Sequence, residues 1–415
     1  MPEGLDRGDT AWMLTATALV LFMTIPGLAL FYGGLVRTKN VLSILMQCLC
    51  LTAVVTLVWL AVGYSLAFDP TGMEPGVVGL HAVIGGGARL FLAGVGPDTL
   101  WGSIPEVLFF AYQLTFAIIT PALIVGAFAE RMRFSAMLAF CVVWLLVVYL
   151  PVCHAVWGGK GSLLGDLGVL DFAGGIVVHT TAGIAALVAC LVIGPRRGYP
   201  ETPMPPHNLT MTVMGTGMLW VGWFGFNGGS ALGATGGAAM AIVATQVSAS
   251  AAAVTWMAIE WVRVGKPSVL GVATGAIAGL AAVTPASGFV GPVGGLVIGI
   301  ASGALCWIAV ARVKQRFLYD DSLDVFGVHG VGGFLGTVLT GVFASSAFGG
   351  TQADLSVARQ VALQLGAATA VALYTALLSW LILRGVALLV PLRIEDDHEG
   401  QGLDLTQHGE TGYNL

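Results

Sequence analysis

Two imidazoles sit in stretches that otherwise carry almost no charge. His179 lies in LDFAGGIVVHTTAGIAALVACLVIG and His329 in DVFGVHGVGGFLGTVLTGVF. In hydrocarbon such a group needs a partner or a polar path, which makes intramembrane ionisable residues candidates for function. Two neutral imidazoles can share one N–H···N bond and can donate to, or accept from, a small polar solute. The alternative is a pair of histidines that only hold helices together, and finding two in segments that could be matching halves of a repeat weighs against it. Each has an aspartate ahead of it, Asp171 and Asp324. His179 follows Asp171 by eight residues, about 12 Å of helical rise, and His329 follows Asp324 by five, about 7–8 Å. The rings reach a common depth only if the helices begin below the membrane surface. A carboxylate there needs donors, and the free N–H groups of a helix N-terminus supply them, so DFAGG places Asp171 as an N-cap. That favours a structural role for Asp171 over direct proton transfer. Asp324 is either a similar cap or an ion-pair partner, and both readings stay open.

Aromatic residues form the second constellation. In LWVGWFGFNGGSAL, Trp223, Phe226, Asn227 and Ser230 follow i, i+3, i+4, i+7 spacing and share a helix face. In FFAYQLTFAIIT, Tyr112 and Phe116 are i, i+4, and Trp157 sits in HAVWGGKG. Aromatics at helix ends are ordinarily an interfacial belt. The functional alternative is a cation site, since aromatic faces attract a cation by about 0.5–2 kcal/mol and Ser230 can accept an N–H.

These residues need long apolar helices to hold them. The chain has 415 residues, of which 57% are hydrophobic and 9% charged, and its mean hydropathy is +0.89. A soluble domain is about 25% charged, so the sequence reads as an all-α, polytopic membrane protein. Spans of about 20 residues fall approximately at 11–34, 41–66, 104–127, 134–153, 172–194, 209–231, 237–262, 268–284, 287–311, 324–346 and 360–390. The eighth is short and glycine-rich. The eleven-span transmembrane domain is therefore residues 1–390, followed by an acidic tail, 391–415, that composition alone would leave solvated. The ladders Gly271, Gly275, Gly279 and Gly295, Gly299, Gly303 suit close helix approach. Thirteen of the 17 Lys and Arg residues fall on one side, among them Arg37, Lys39, Arg131, Arg133, Arg196, Arg197, Lys314 and Arg316. That bias predicts an outer N-terminus and a cytoplasmic tail. The first nine residues are acidic rather than basic, unlike a signal peptide. The six cysteines lie within or beside apolar segments with no CxxC, and read as small apolar residues rather than disulfides or a metal site. No H-E-x-x-H, Walker A or G-x-S-x-G appears in a plausible context, which argues against an enzyme; no cofactor or nucleic acid is expected.

At these residues the chain resembles the Amt/Mep/Rh ammonium transporter family, and within it the bacterial-type Amt branch. The carriers are FMTIPGLALFYGGLVRTKNVLS, FAERMRFSAM, LDFAGGIVVHTTAGIAALV, WFGFNGGSA, GKPSVLGVATGAIAGLAAVTPASGFV, DVFGVHGVGG and GLDLTQHGETGYNL. The resemblance runs from Ala11 to the C-terminus. It implies eleven membrane helices with an inverted repeat of spans one to five and six to ten, assembled as a homotrimer in the cytoplasmic membrane. It implies that Trp157, Ser230 and Phe116 recruit ammonium or methylammonium, with Tyr112 and Trp223 in the pore wall. Phe116 and Phe226 would close the pore, His179 and His329 would line it, and Asp171 would hold its entrance in shape. Tyr112 departs from the phenylalanine common at that position. Ser230 and the GLDLTQHGETGYNL tail favour Amt over Rh; the tail would couple subunits and support a PII-type signalling protein. It is then expected to be ordered against inner loops of its own and a neighbouring subunit, with Arg196, Arg197 and Arg316 as partners for its carboxylates.

The physics suits such a layout. Ammonium resembles a lysine head group, with a pKa near 10 in water, and desolvation disfavours its charged form. A dry aromatic closure ahead of an apolar pore promotes deprotonation, and the histidine pair offers neutral ammonia a polar path. Inward, net electrogenic transport with a separate proton route is the favoured reading. An uncharged ammonia channel, or a sensor signalling through its tail, are the alternatives.

Overall fold

The computed structural model describes residues 2–413. Ten of its helices are long and apolar enough to cross a bilayer: α1 (Arg7–Leu35), α2 (Thr38–Phe68), α3 (Glu106–Phe128), α4 (Phe134–Trp157), α5 (Gly175–Ile193), α6 (Leu209–Gly228), α7 (Gly236–Val264), α9 (Pro292–Phe317), α10 (Phe326–Phe343) and α11 (Val357–Leu389). An eleventh, α8 (Val269–Val283), is apolar and 15 residues long. At about 1.5 Å per residue it falls short of a 30 Å core. Each span expected from hydropathy meets one of these helices, with boundaries moved by a few residues. Because five helices precede α6, the second half, α6–α10, crosses in the opposite sense to the first, α1–α5, which makes the fold a 5+5 inverted repeat. The glycine ladders of α8 and α9 both press on α7: a Cβ at Gly275 or Gly303 would meet Ala252 backbone atoms.

α5 and α10 cross at the centre. A side chain at Gly183 would run into the backbone of Gly330, so only glycine permits this approach. Both helices open on a widened π turn, Gly175–Thr180 and Phe326–Gly330, and each turn contains its histidine. The loop ahead of α5 reaches it through Gly174, whose φ of 113° is a conformation that side chains resist.

The Arg- and Lys-rich ends of the helices gather over a buried charge cluster. Arg131 has no solvent exposure and donates to the carbonyls of Gly194 (2.8 Å) and Asp320 and to Ser322 Oγ (2.6 Å). Arg196 bridges Asp320 (2.7 Å) and Glu130 (3.1 Å), and Arg37 also pairs with Glu130 (2.9 Å). Burial opposes ionisation of Glu130, but Arg196 and Arg37 outweigh it and hold the carboxyl below its usual range. The tail folds onto this surface as α12 (Asp396–Gln401) and α13 (Leu403–His408). Glu399 accepts from Arg197 N–H (2.7 Å) and Arg393 (2.6 Å), and Asp404 accepts from Leu42 and Ser43 N–H at 3.0 and 2.8 Å. Composition alone leaves such a segment solvated; here buried Glu399, Leu403 and Asp404 tie it down. Two expected partners differ: the Arg196 charge is spent on Asp320 and Glu130, and among the described residues Arg316 makes no ion pair with the tail, while Arg197 reaches it through its backbone N–H. Asn414 and Leu415, the last residues of the expected tail, lie outside the described residues.

Candidate functional site

Asp171 is buried in the turn ahead of α5. Its Oδ1 accepts N–H bonds from Gly174 (2.9 Å) and Gly175 (2.6 Å), and its Oδ2 from Ile176 (2.8 Å) and Val177 (3.1 Å). Burial pushes this carboxyl up, and the four N–H groups pull against that. Its backbone carbonyl receives Trp157 Nε1 at 2.8 Å, so the same turn anchors the indole.

In the second half, of the two roles left open for Asp324, the structure shows the ion pair. Asp324 does not cap α10: at a φ of 60° it turns back to pair with Lys314 at 2.6 Å. The cap is Asp321, whose Oδ2 accepts Phe326 N–H at 2.7 Å. Asp321 precedes His329 by eight residues, the spacing of Asp171 to His179. The histidines meet. Their Nδ1 atoms are 3.2 Å apart, with ring centroids 5.2 Å apart and planes inclined by 20°. One proton lies between two nitrogens at that distance, so a neutral pair makes one N–H···N bond. Among the described residues, His179 Nε2 has no hydrogen-bond partner.

The aromatics converge as their spacing suggests. Phe116 and Phe226 lie 4.2 Å apart between ring centroids, with Trp157 edge-on to Phe116 at 5.9 Å. Trp223 stacks on His179 at 5.4 Å and fixes its indole on Thr284 Oγ1 at 2.9 Å. Tyr112 lies 5.1 Å from Phe116. The hydroxyl of Ser230 donates to Phe226 O at 2.9 Å.

Three cavities line up along this core. A chamber of about 150 Å³ at the end away from the basic cluster is walled by Phe68, Trp101, Gln113, Phe116, Trp157 and Ser230. Beyond the Phe116–Phe226 pair, an apolar lumen of about 10 Å³ runs along Phe226, Trp223, Ile277, His179 and His329, room for roughly one water-sized molecule. His329 also borders a chamber of about 670 Å³ that opens among Arg196, Glu260, Lys314 and Asp324. The arrangement can hold a small cation against aromatic faces, strip it of water at the ring pair, and pass a neutral hydrogen-bonding solute along the imidazoles.

Sequence reasoning missed two residues here. Gln113 is 8% exposed, lines the 150 Å³ chamber, and has an amide oxygen without a partner among the described residues; one glutamine in an apolar helix is its only signal. Asp321 lies in DDSLD, where three acids compete for one role. Among the described residues, no group of three His, Cys, Asp or Glu side chains could hold a metal.

Residues 11–413 match the family model described as Ammonium Transporter Family. The chain is 48% identical to an ammonium transporter of Aquifex aeolicus over 99% of its length and 94% of that protein. It is 45% identical to one from Bacillus subtilis over 99% of both. Among solved structures it resembles Candida albicans Mep2, with a TM-score of 0.86, 36% identity and coverage of 99% and 91%. It also resembles a protein described as a sensor Amt protein, with a TM-score of 0.88, 28% identity and coverage of 97% and 98%.

Proposed function

This chain belongs to the ammonium transporter family, and we propose that it carries ammonium and methylammonium inward across the cytoplasmic membrane. The observation that supports this reading is the alignment of the three cavities through one ring pair and one histidine pair. In this reading the basic end is cytoplasmic and the aromatic chamber faces outward. Trp157, Phe116 and Ser230 recruit the cation, with Tyr112 and Trp223 completing the wall. Phe116 and Phe226 exclude its water shell, and desolvation drives off the proton. Neutral ammonia then passes His179 and His329. A lumen for one molecule suits ammonia better than a hydrated ion, which is expensive at this depth. Net charge movement follows if the released proton crosses by its own route. Asp171 keeps the entrance in shape, and Asp324 holds Lys314 at the inner chamber.

We place the protein as a homotrimer with one pore per subunit, its tail coupling neighbours and offering a surface to a PII-type protein. Sensing is the second reading, favoured by the likeness to the sensor Amt protein. The test is current on reconstituted liposomes under an inward ammonium gradient. Saturable inward current supports electrogenic transport. Internal alkalinisation without current supports an ammonia channel, and neither signal leaves sensing.

A further inference from the structure

The phenol of Tyr112 touches three oxygens at the ring pair. Its Oη lies 3.0 Å from Gly225 O, 2.9 Å from Phe226 O and 3.3 Å from Ser230 Oγ. The residue is wholly buried. α6 stops at Gly228, where the last carbonyls of a helix want for donors. Each hydroxyl carries one proton. Ser230 places its proton on Phe226 O at 2.9 Å, and Tyr112 is placed to give its own to Gly225 O. Neither hydroxyl then donates into the 150 Å³ chamber, and Ser230 Oγ shows it lone pairs alone. With phenylalanine at 112, the Ser230 proton would lose the Tyr112 oxygen at 3.3 Å as its second acceptor, and the rotor would be held by Phe226 O alone. A hydroxyl proton turned into the chamber would repel an N–H donor.

We infer that the Tyr112 hydroxyl is a positioning group that fixes Ser230 as a hydrogen-bond acceptor for an N–H cation and braces the turn carrying Phe226. It sets the affinity of the chamber and does not itself move the substrate. The inference rests on the proposed recruitment of ammonium at Ser230.

The test is a double-mutant cycle on the full chain in liposomes: wild type, Tyr112→Phe, Ser230→Ala and the double variant. Tyr112→Phe should raise the half-saturation for methylammonium about three- to tenfold, the worth of one ordinary hydrogen bond, with the maximal rate within twofold. In the Ser230→Ala background, adding Tyr112→Phe should leave half-saturation within twofold. Unchanged half-saturation in the single variant overturns the inference, and so does an equal fold-change in both backgrounds. Thermal unfolding of the same four proteins without substrate is the second reading. Non-additive shifts support coupling of the two hydroxyls, and additive shifts overturn it. Absence of saturable uptake in wild type would defeat the transport reading alone, since the unfolding cycle still decides the coupling.

Discussion

Asp171→Asn is the most informative single substitution. The native carboxylate serves four N–H donors, two on each oxygen, at 2.6–3.1 Å. Asparagine keeps one oxygen and turns an NH₂ toward the other two donors. Two charge-assisted bonds are lost, each worth about 1.5–3 kcal/mol. Relief from burying a charge offsets part of that loss, which leaves a net cost on the order of 3 kcal/mol. The same turn receives Trp157 Nε1, so the indole should lose its anchor and recruitment should weaken. Thermal unfolding in detergent, paired with methylammonium uptake at several concentrations, reads both effects. A lowered unfolding temperature with raised half-saturation fits the capping role. Native stability with transport abolished would refute it and return Asp171 to direct proton transfer.

His179→Ala or His329→Ala should abolish selective transport, or leave a poorly selective ion path, while the protein still reaches the membrane; ammonium-to-potassium selectivity of the current checks this. Asp404→Ala should free the tail by removing the acceptor for Leu42 and Ser43 N–H, raising protease sensitivity near residues 391–413 and lowering transport without dissolving the pore. Burial lifts the Asp321 carboxyl from 3.8 to about 6. A raised acid penalises the folded state fully above pH 6 and not at all below about 4, so its contribution to stability falls as pH rises through that window. Asp321→Asn should therefore raise the unfolding temperature at pH 8 and change it little at pH 4; a uniform shift at both would count against the assignment.

Much of this site is legible in the sequence because a lone polar group in an apolar run stands out. His179, His329 and Asp171 do so, and the i, i+4 spacing of Tyr112 and Phe116 brings their rings to 5.1 Å. What is not legible depends on backbone that no periodicity encodes. DDSLD offers three carboxylates, and Asp324 is removed from the cap only because it adopts a φ of 60° and faces Lys314. Arg196 looks like any basic loop residue, yet its destination is fixed by Asp320 and Glu130, 124 and 66 residues away in the chain. The tail is acidic enough to stay solvated, and only its fit to Arg197 and the start of α2 makes it a docked element.

The spacing of aspartate and histidine explains how the pore helices can begin among buried residues. A helix that starts beneath the surface leaves N–H groups with neither water nor a preceding turn to satisfy them. A carboxylate eight residues ahead of each histidine meets that need in both halves, and the π turns that follow carry the rings inward. The halves are not equally committed. Asp171 has donors on both oxygens, whereas Asp321 uses Oδ2 on Phe326 and its buried Oδ1 has no partner among the described residues. An amide can replace the second carboxylate without losing an acceptor, but not the first. The same Asp-to-Asn change is therefore expected to destabilise one half and stabilise the other, although the repeat gives both aspartates the same place.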